Sequence, residues 1–248
     1  MHPHFPYGEP RFVEQAKKWI DRVGLEVHSV HLPFYFALEL SKREHLSPLH
    51  PEPQARERAL QEGEKAIAAA RILGATVAVL HLGEPGAKII TAENESFALA
   101  AVERLGRFGA ERGVAIALEN IISELTEVGS LRTLIQRTGL PNVGICPDVG
   151  HSRVGGDPGR DARAAAEMLR NTHLHDNDGR SDQHRPPGQG MINWAELMLA
   201  FADAGYQGWH NLEIRDESRG GVAAGPLLRW AAETVERVEP LRKGAKKC

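Results

Sequence analysis

Short β-branched runs alternate along this chain with longer stretches rich in Ala, Leu, Glu and Arg, and each long stretch stops at a glycine. The strand-like runs are Glu26–Leu32, Thr76–Leu82, Val114–Glu119, Val143–Asp148, Asn171–His175 and Trp209–Ile214. Helical spacing marks Pro10–Val23, Pro53–Leu73, Glu93–Arg112, Ser130–Thr138 and Trp194–Ala204. Gly24, Gly74, Gly113, Gly139 and Gly205 stand where helices end, since glycine enters the left-handed backbone region at little cost. The runs are apolar on both faces, which suits a parallel sheet covered by helices.

A βα repeat of roughly 30 to 40 residues within one domain points to a (β/α) barrel. A doubly wound open sheet is the alternative, but no G-x-G-x-x-G turn or P-loop follows any run. The count is short of a full barrel, and the chain opens directly in a helix. The expectation is therefore one α/β barrel domain over residues 1–248, apparently lacking its first two strands or keeping an irregular remnant in Met1–Pro6. Lys243–Cys248 reads as a frayed basic tail.

Composition removes several function classes. No apolar run approaches the roughly 20 residues of a membrane helix. The first residues have neither the basic start nor the apolar core of a signal peptide. A net charge of -3 offers no basic field for nucleic acid. Two cysteines, Cys146 and Cys248, make no disulfide framework, so a reducing cytoplasm is the expected compartment. The anomaly is histidine, with 12 against 3 tyrosines and 4 tryptophans.

The histidines and carboxylates fall at the C-terminal ends of the runs. These ends carry His31, His81, Glu119, Asp148 with His151, His173, and Glu213. In a barrel those ends converge on one mouth, where active sites are built. Taken singly, each has a plainer reading: a strand-end His is commonly a structural hydrogen-bonding group, and Asp148 can cap the segment after it. A ring of buried imidazoles and carboxylates, however, needs cations or mutual pairing. Histidine and carboxylate donors suit Zn, Mn, Fe or Co, with Cys146 read as a small core residue. Beyond His173 a polar loop holds Asp176, Asp178, Asp182 and His184, and the D-x-H pair Asp182/His184 places two donors on one side of an extended segment. His175 and Asp176 read as groups that orient ligands. His2, His4, His45 and His50 read as surface residues.

The segments SVHLPF, AVLHLGE, ALENI, CPDVGHS, THLHDNDGRSDQHRPPGQG and NLEI, in that order, resemble the xylose isomerase-like TIM barrel superfamily. That group includes sugar isomerases and epimerases and endonuclease IV. In its epimerase-like members, the resemblance implies, one divalent metal is held at the positions of Glu119, Asp148, His173 and Glu213. The two glutamates there also act as acid and base, and Arg180 takes the approximate place of an arginine that follows the metal histidine. In endonuclease IV nine side chains hold three zinc ions. Their matches are His31, His81, Glu119, Asp148, His151, His173, Asp182, His184 and Glu213.

The expected function is a metal-dependent isomerase or epimerase of a sugar or sugar phosphate, working through an enediolate with one core site of Zn, Mn, Co or Mg. The alternatives are an endonuclease IV-like zinc phosphodiesterase with up to three ions, for which nucleic acid is the partner, and a barrel that only binds. Phe34, Tyr35 and Phe36 are wedge candidates under the nuclease reading and packing groups otherwise. Open strand edges near Val30 and Leu212 invite another chain. Either a start codon is assigned too late or a homo-oligomer covers the gap.

Overall fold

The computed structural model describes residues 5–35, 45–83, 91–215 and the helical positions 232, 233 and 236. His2, His4, Phe36 and the tail Lys243–Cys248 lie outside the described residues. The chain divides into two compact units, Met1–Ile145 and Cys146–Cys248.

The first unit runs α1 (Pro10–Arg22), β1 (Ser29–His31), α2 (Pro53–Leu73), β2 (Val77–Leu80), α3 (Ala92–Ala110), β3 (Ala115–Glu119), α4 (Val128–Thr138) and β4 (Val143–Cys146). The strands form one sheet in the order β1-β2-β3-β4. Pairing of β1 with β2 and of β2 with β3 is parallel, with His31 opposite Val79 and Leu80 opposite Leu118. That register brings His31, His81 and Glu119 to the same end of the sheet.

β2 and most of β3 are buried on both faces, as expected of a helix-covered parallel sheet. Ile67, Val102, Leu105, Ile116 and Leu118 are sealed between helices and sheet. Each such side chain contributes about 1.5–3 kcal/mol of transfer free energy. Helix α3 lies so close to β3 that a Cβ on Gly109 would overlap the Val114 carbonyl. The apolar side of α1 does not bury as a unit: Val13 is sealed and Ala16 and Ile20 pack beside it, while Phe12, Trp19 and Val23 are 43%, 59% and 67% exposed.

The second unit runs α5 (Val149–Gly155), α6 (Pro158–Ala165), β5 (His173–Leu174), α7 (Trp194–Asp203) and β6 (Asn211–Leu212). β5 and β6 pair in parallel, and Asp148 bridges to His173 in the same sense. Helix α6 packs on α7, burying Ala162, Ala165, Leu197, Met198 and Phe201.

All six strand runs are present, trimmed to their paired residues, and Gly24, Gly74, Gly113, Gly139 and Gly205 all have positive φ. The short helices α5 and α6 were not anticipated. They are started by Asp148, which accepts from His151 N–H at 2.7 Å, and by Asp157, which accepts from Gly159 N–H at 2.8 Å. No helix among the described residues is long and apolar enough to cross a membrane.

Candidate metal centre

In the first unit His31, His81 and Glu119 offer ligand atoms that all lie within 4.8 Å of one another. His31 Nδ1 lies 2.7 Å from the Leu32 carbonyl, which can only accept, so Nδ1 donates and the ring is held with Nε2 turned into the site. That Nε2 faces His81 Nε2 at 3.3 Å and Glu119 Oε2 at 3.3 Å, and His81 Nε2 is 3.1 Å from the same oxygen. Glu119 is only 2% exposed. Two imidazoles thus converge on one buried carboxylate oxygen. Phe34 packs against both rings, at 5.1 Å from His31 and 4.8 Å from His81. Tyr35 packs on Phe34 and bridges to His45, which is half-buried rather than a plain surface residue. Both aromatics make their ring contacts with these neighbours in the first unit.

In the second unit Asp148 is fully buried. It fills the plainer role weighed above, capping α5, and does more. His175 Nε2 reaches both its oxygens, at 2.9 Å to Oδ1 and 3.0 Å to Oδ2. His151, Asp182 and His184 form a second group of converging donors. His184 repeats the arrangement of His31: its Nδ1 donates to the Glu213 carbonyl at 3.0 Å, which turns Nε2 toward Asp182 Oδ2 at 2.8 Å. A ring nitrogen committed to a carbonyl is the usual way a ligating histidine is held in orientation. Burial works against the Asp182 charge, yet the hydrogen bonds and charges of His151 and His184 outweigh it and hold the carboxyl well below the usual range. Burial likewise opposes a charged His184, and Asp182 with Glu213 raises its pKa above the ordinary value.

The loop that carries Asp182 and His184 is fixed by Asp176. This carboxylate is fully buried and accepts from Asn177 N–H (2.9 Å), Gly188 N–H (2.9 Å), Ile192 N–H (3.2 Å) and the Trp194 indole N–H (2.9 Å). It anchors the loop, and these hydrogen bonds go to the loop backbone and to Trp194. Arg180 is exposed, and its backbone N–H donates to Asp178. Sequence reasoning missed Gly150, Asn177 and Trp194. Asn177 joins the loop to α5 through a 2.8 Å bond from Nδ2 to the Gly150 carbonyl.

The residues fit a divalent cation on three observations. His173 Nδ1 and Glu213 Oε2 approach to 2.8 Å without the angles of a hydrogen bond. Asp182 Oδ1 is buried and accepts no hydrogen bond. The converging atoms of these groups are imidazole nitrogens and carboxylate oxygens, a set suited to Zn or to harder divalent ions.

An uncharacterized protein of Methanocaldococcus jannaschii is 26% identical over 245 residues, covering 92% of this chain and 78% of that protein. Fructoselysine 3-epimerase of Shigella flexneri is 42% identical over 48 residues, or 19% of this chain and 17% of that enzyme. Among solved structures, a D-tagatose 3-epimerase-like protein superposes with a TM-score of 0.79 at 22% identity, covering 97% of this chain and 86% of its own. An L-ribulose 3-epimerase gives 0.74 at 22%, covering 96% and 84%. A further likeness, with a TM-score of 0.76 at 16% identity over 92% and 82% of the two chains, is to the IOLI protein with a bound zinc atom. At these identities the structures establish the fold. The sequence profile described as xylose isomerase-like TIM barrel matches residues 2–241. The chain therefore belongs to the xylose isomerase-like TIM barrel family, and that is its fold.

Proposed function

We propose that this protein is a divalent-metal-dependent isomerase or epimerase of sugars or sugar phosphates. Glu119, Asp148, His173 and Glu213 hold the ion, and Glu119 and Glu213 are the acid/base pair. The observation that carries the reading is the approach of His173 Nδ1 to Glu213 Oε2 at 2.8 Å, two donors turned toward one point without hydrogen-bond angles. The sugar epimerases among the structural relatives support the substrate class.

A bound Zn, Mn, Co or Mg ion supplies Lewis acidity, which acidifies the C–H beside a carbonyl. The proton work falls to the chain. One glutamate removes the proton from the carbon next to the carbonyl and leaves an enediolate. The other returns a proton to the opposite face of that carbon, inverting it, or proton return to the neighbouring carbon moves the carbonyl. The two carboxylates differ in setting: Glu119 is 2% exposed, whereas the Glu213 side chain is 40% exposed and open to proton exchange with solvent.

A second reading, zinc-dependent phosphodiester hydrolysis, is favoured by one observation: His31 with His81, and His151 with Asp182 and His184, provide donors beyond those that one ion requires. The test is metal content of protein purified without chelator or added metal, followed by solvent-deuterium exchange over a panel of ketoses. About one ion per chain with C–H exchange supports the first reading. Close to three zinc ions per chain with cleavage of an abasic-site duplex moves the assignment to the second. No bound ion after metal is added back overturns both.

A further inference from the structure

His175 has a position out of keeping with a filler of the core. It is fully buried, and its Nε2 lies 2.9 and 3.0 Å from the two oxygens of Asp148 and 3.6 Å from Asp182 Oδ1. A carboxylate can only accept, so Nε2 carries the proton and donates. Nδ1 is buried and makes no hydrogen bond. An imidazole that leaves one nitrogen unsatisfied in the interior is a poor choice for stability, since an apolar side chain of similar volume would avoid that penalty.

Two further contacts fix the plane of the ring. It stacks on His184 with centroids 4.1 Å apart and planes 10° from parallel. Its edge lies against Gly150, where a Cβ would overlap the ring itself. Gly150 is not in a left-handed conformation, so backbone freedom does not account for it. The glycine of the Asp148-Val-Gly-His151 turn makes room for an imidazole that arrives from β5.

We propose that His175 is a positioning residue that sets the Asp148 carboxylate for metal binding, and that Gly150 is small in order to admit it. The inference rests on the assignment of Asp148 as a ligand made above. The main-chain N–H of His151 already takes Asp148 Oδ1 at 2.7 Å. Donation from His175 supplies the second restraint, so the carboxylate cannot rotate about its Cβ–Cγ bond and meets an incoming cation in one orientation. His175 itself does not touch substrate in this account.

The experiment is a cobalt(II) and zinc(II) titration of the full chain against a competing chelator, with the cobalt visible spectrum recorded in parallel. His175→Phe keeps a stacked ring and removes the donor. Loss of a group that orients a ligand weakens metal binding by about 10- to 100-fold. His175→Phe should show that loss and an altered cobalt spectrum. His175→Gln, whose amide N–H can reach the same carboxylate, should recover most of both. Gly150→Ala should reproduce the Phe variant by displacing the ring. Should His175→Phe fail to fold, the smaller His175→Ala takes its place.

Wild-type affinity and spectrum in the donor-less variant, alongside lost binding in Asp148→Asn, overturn the positioning role and leave the metal assignment standing. Undiminished binding in Asp148→Asn overturns the metal assignment itself. A donor-less variant that melts lower but binds as tightly as wild type makes His175 a packing residue and also overturns the proposal.

Discussion

The indole N–H of Trp194, at the start of α7, donates to Asp176 Oδ2 at 2.9 Å, inside a carboxylate that takes three main-chain N–H groups besides. Everything between these two residues, including Asp182 and His184, is therefore strung from one buried anion. Asp176→Ala would leave four donors without an acceptor. We expect a loss of about 3–4 kcal/mol in denaturant-induced unfolding, at the upper end for a single substitution. A loss under about 1 kcal/mol would show that water replaces the carboxylate and that the loop is not hung from it.

Replacing either proposed acid/base glutamate by its isosteric amide tests the chemistry. Glu119→Gln and Glu213→Gln should each lower kcat by about 100- to 10,000-fold, the usual range for general acid–base catalysis. Because both glutamates are also proposed ligands, the loss is to be read in metal-saturated protein, and the melting temperature should fall only as far as ion affinity does. Full activity in both variants would remove these residues from the mechanism.

Metal removal should be visible in stability. At a free ion concentration about 100 times its Kd, binding to the folded state adds about 2.7 kcal/mol. For a chain of this size that corresponds to a fall in Tm of about 5–10 °C on adding chelator, regained on returning the ion. A melt indifferent to chelator, in protein shown to hold an ion beforehand, would mean that the ion also binds the unfolded chain.

The alkaline limit of stability should involve Tyr7. Its hydroxyl donates to Glu62 at 2.8 Å, and burial, followed by that hydrogen bond and the Glu62 charge, pushes its pKa above the ordinary 10. The folded state thus holds the proton more tightly than the unfolded one. The contribution is complete below pH 10 and fades as pH rises toward the folded value. Tyr7→Phe should cost about 1–3 kcal/mol at neutral pH, because Glu62 is buried and loses a donor. It should also flatten the decline in stability above pH 10, measured by urea unfolding across pH 8–11. An unchanged alkaline slope would assign the decline to other groups, with Tyr206, also raised by burial, the next to replace.

Much of this architecture was legible from the chain. Strands buried on both faces write themselves as unbroken apolar runs, which is why Val77–Leu80 and Ala115–Glu119 fall inside the expected Thr76–Leu82 and Val114–Glu119. Helices that end in a left-handed glycine declare their ends, and α2 matches Pro53–Leu73 residue for residue. Helices α5 and α6 were illegible for a physical reason. At 7 and 8 residues they are too short for apolar periodicity, and their starts are set by Asp148 and Asp157. Strand-end position made the donors visible as residue types, and the structure gathers them in groups within each unit. Their support was not visible. No spacing rule says that Gly150 faces His175, or that Asp176 collects N–H groups from residues 177 to 194, because these partners meet only after the chain has folded.

His184 has a backbone φ of +50°, a region in which a residue with a Cβ sits at a cost. Glycine or asparagine would rest there more comfortably. An imidazole held against that local preference carries a cost that the proposed site would account for. In a lineage that stopped using the site, drift should carry position 184 to Gly or Asn among the earliest changes, with a gain in stability as the sign. The residue at 184 in a relative would then report, before any assay, whether that relative still makes use of its metal centre.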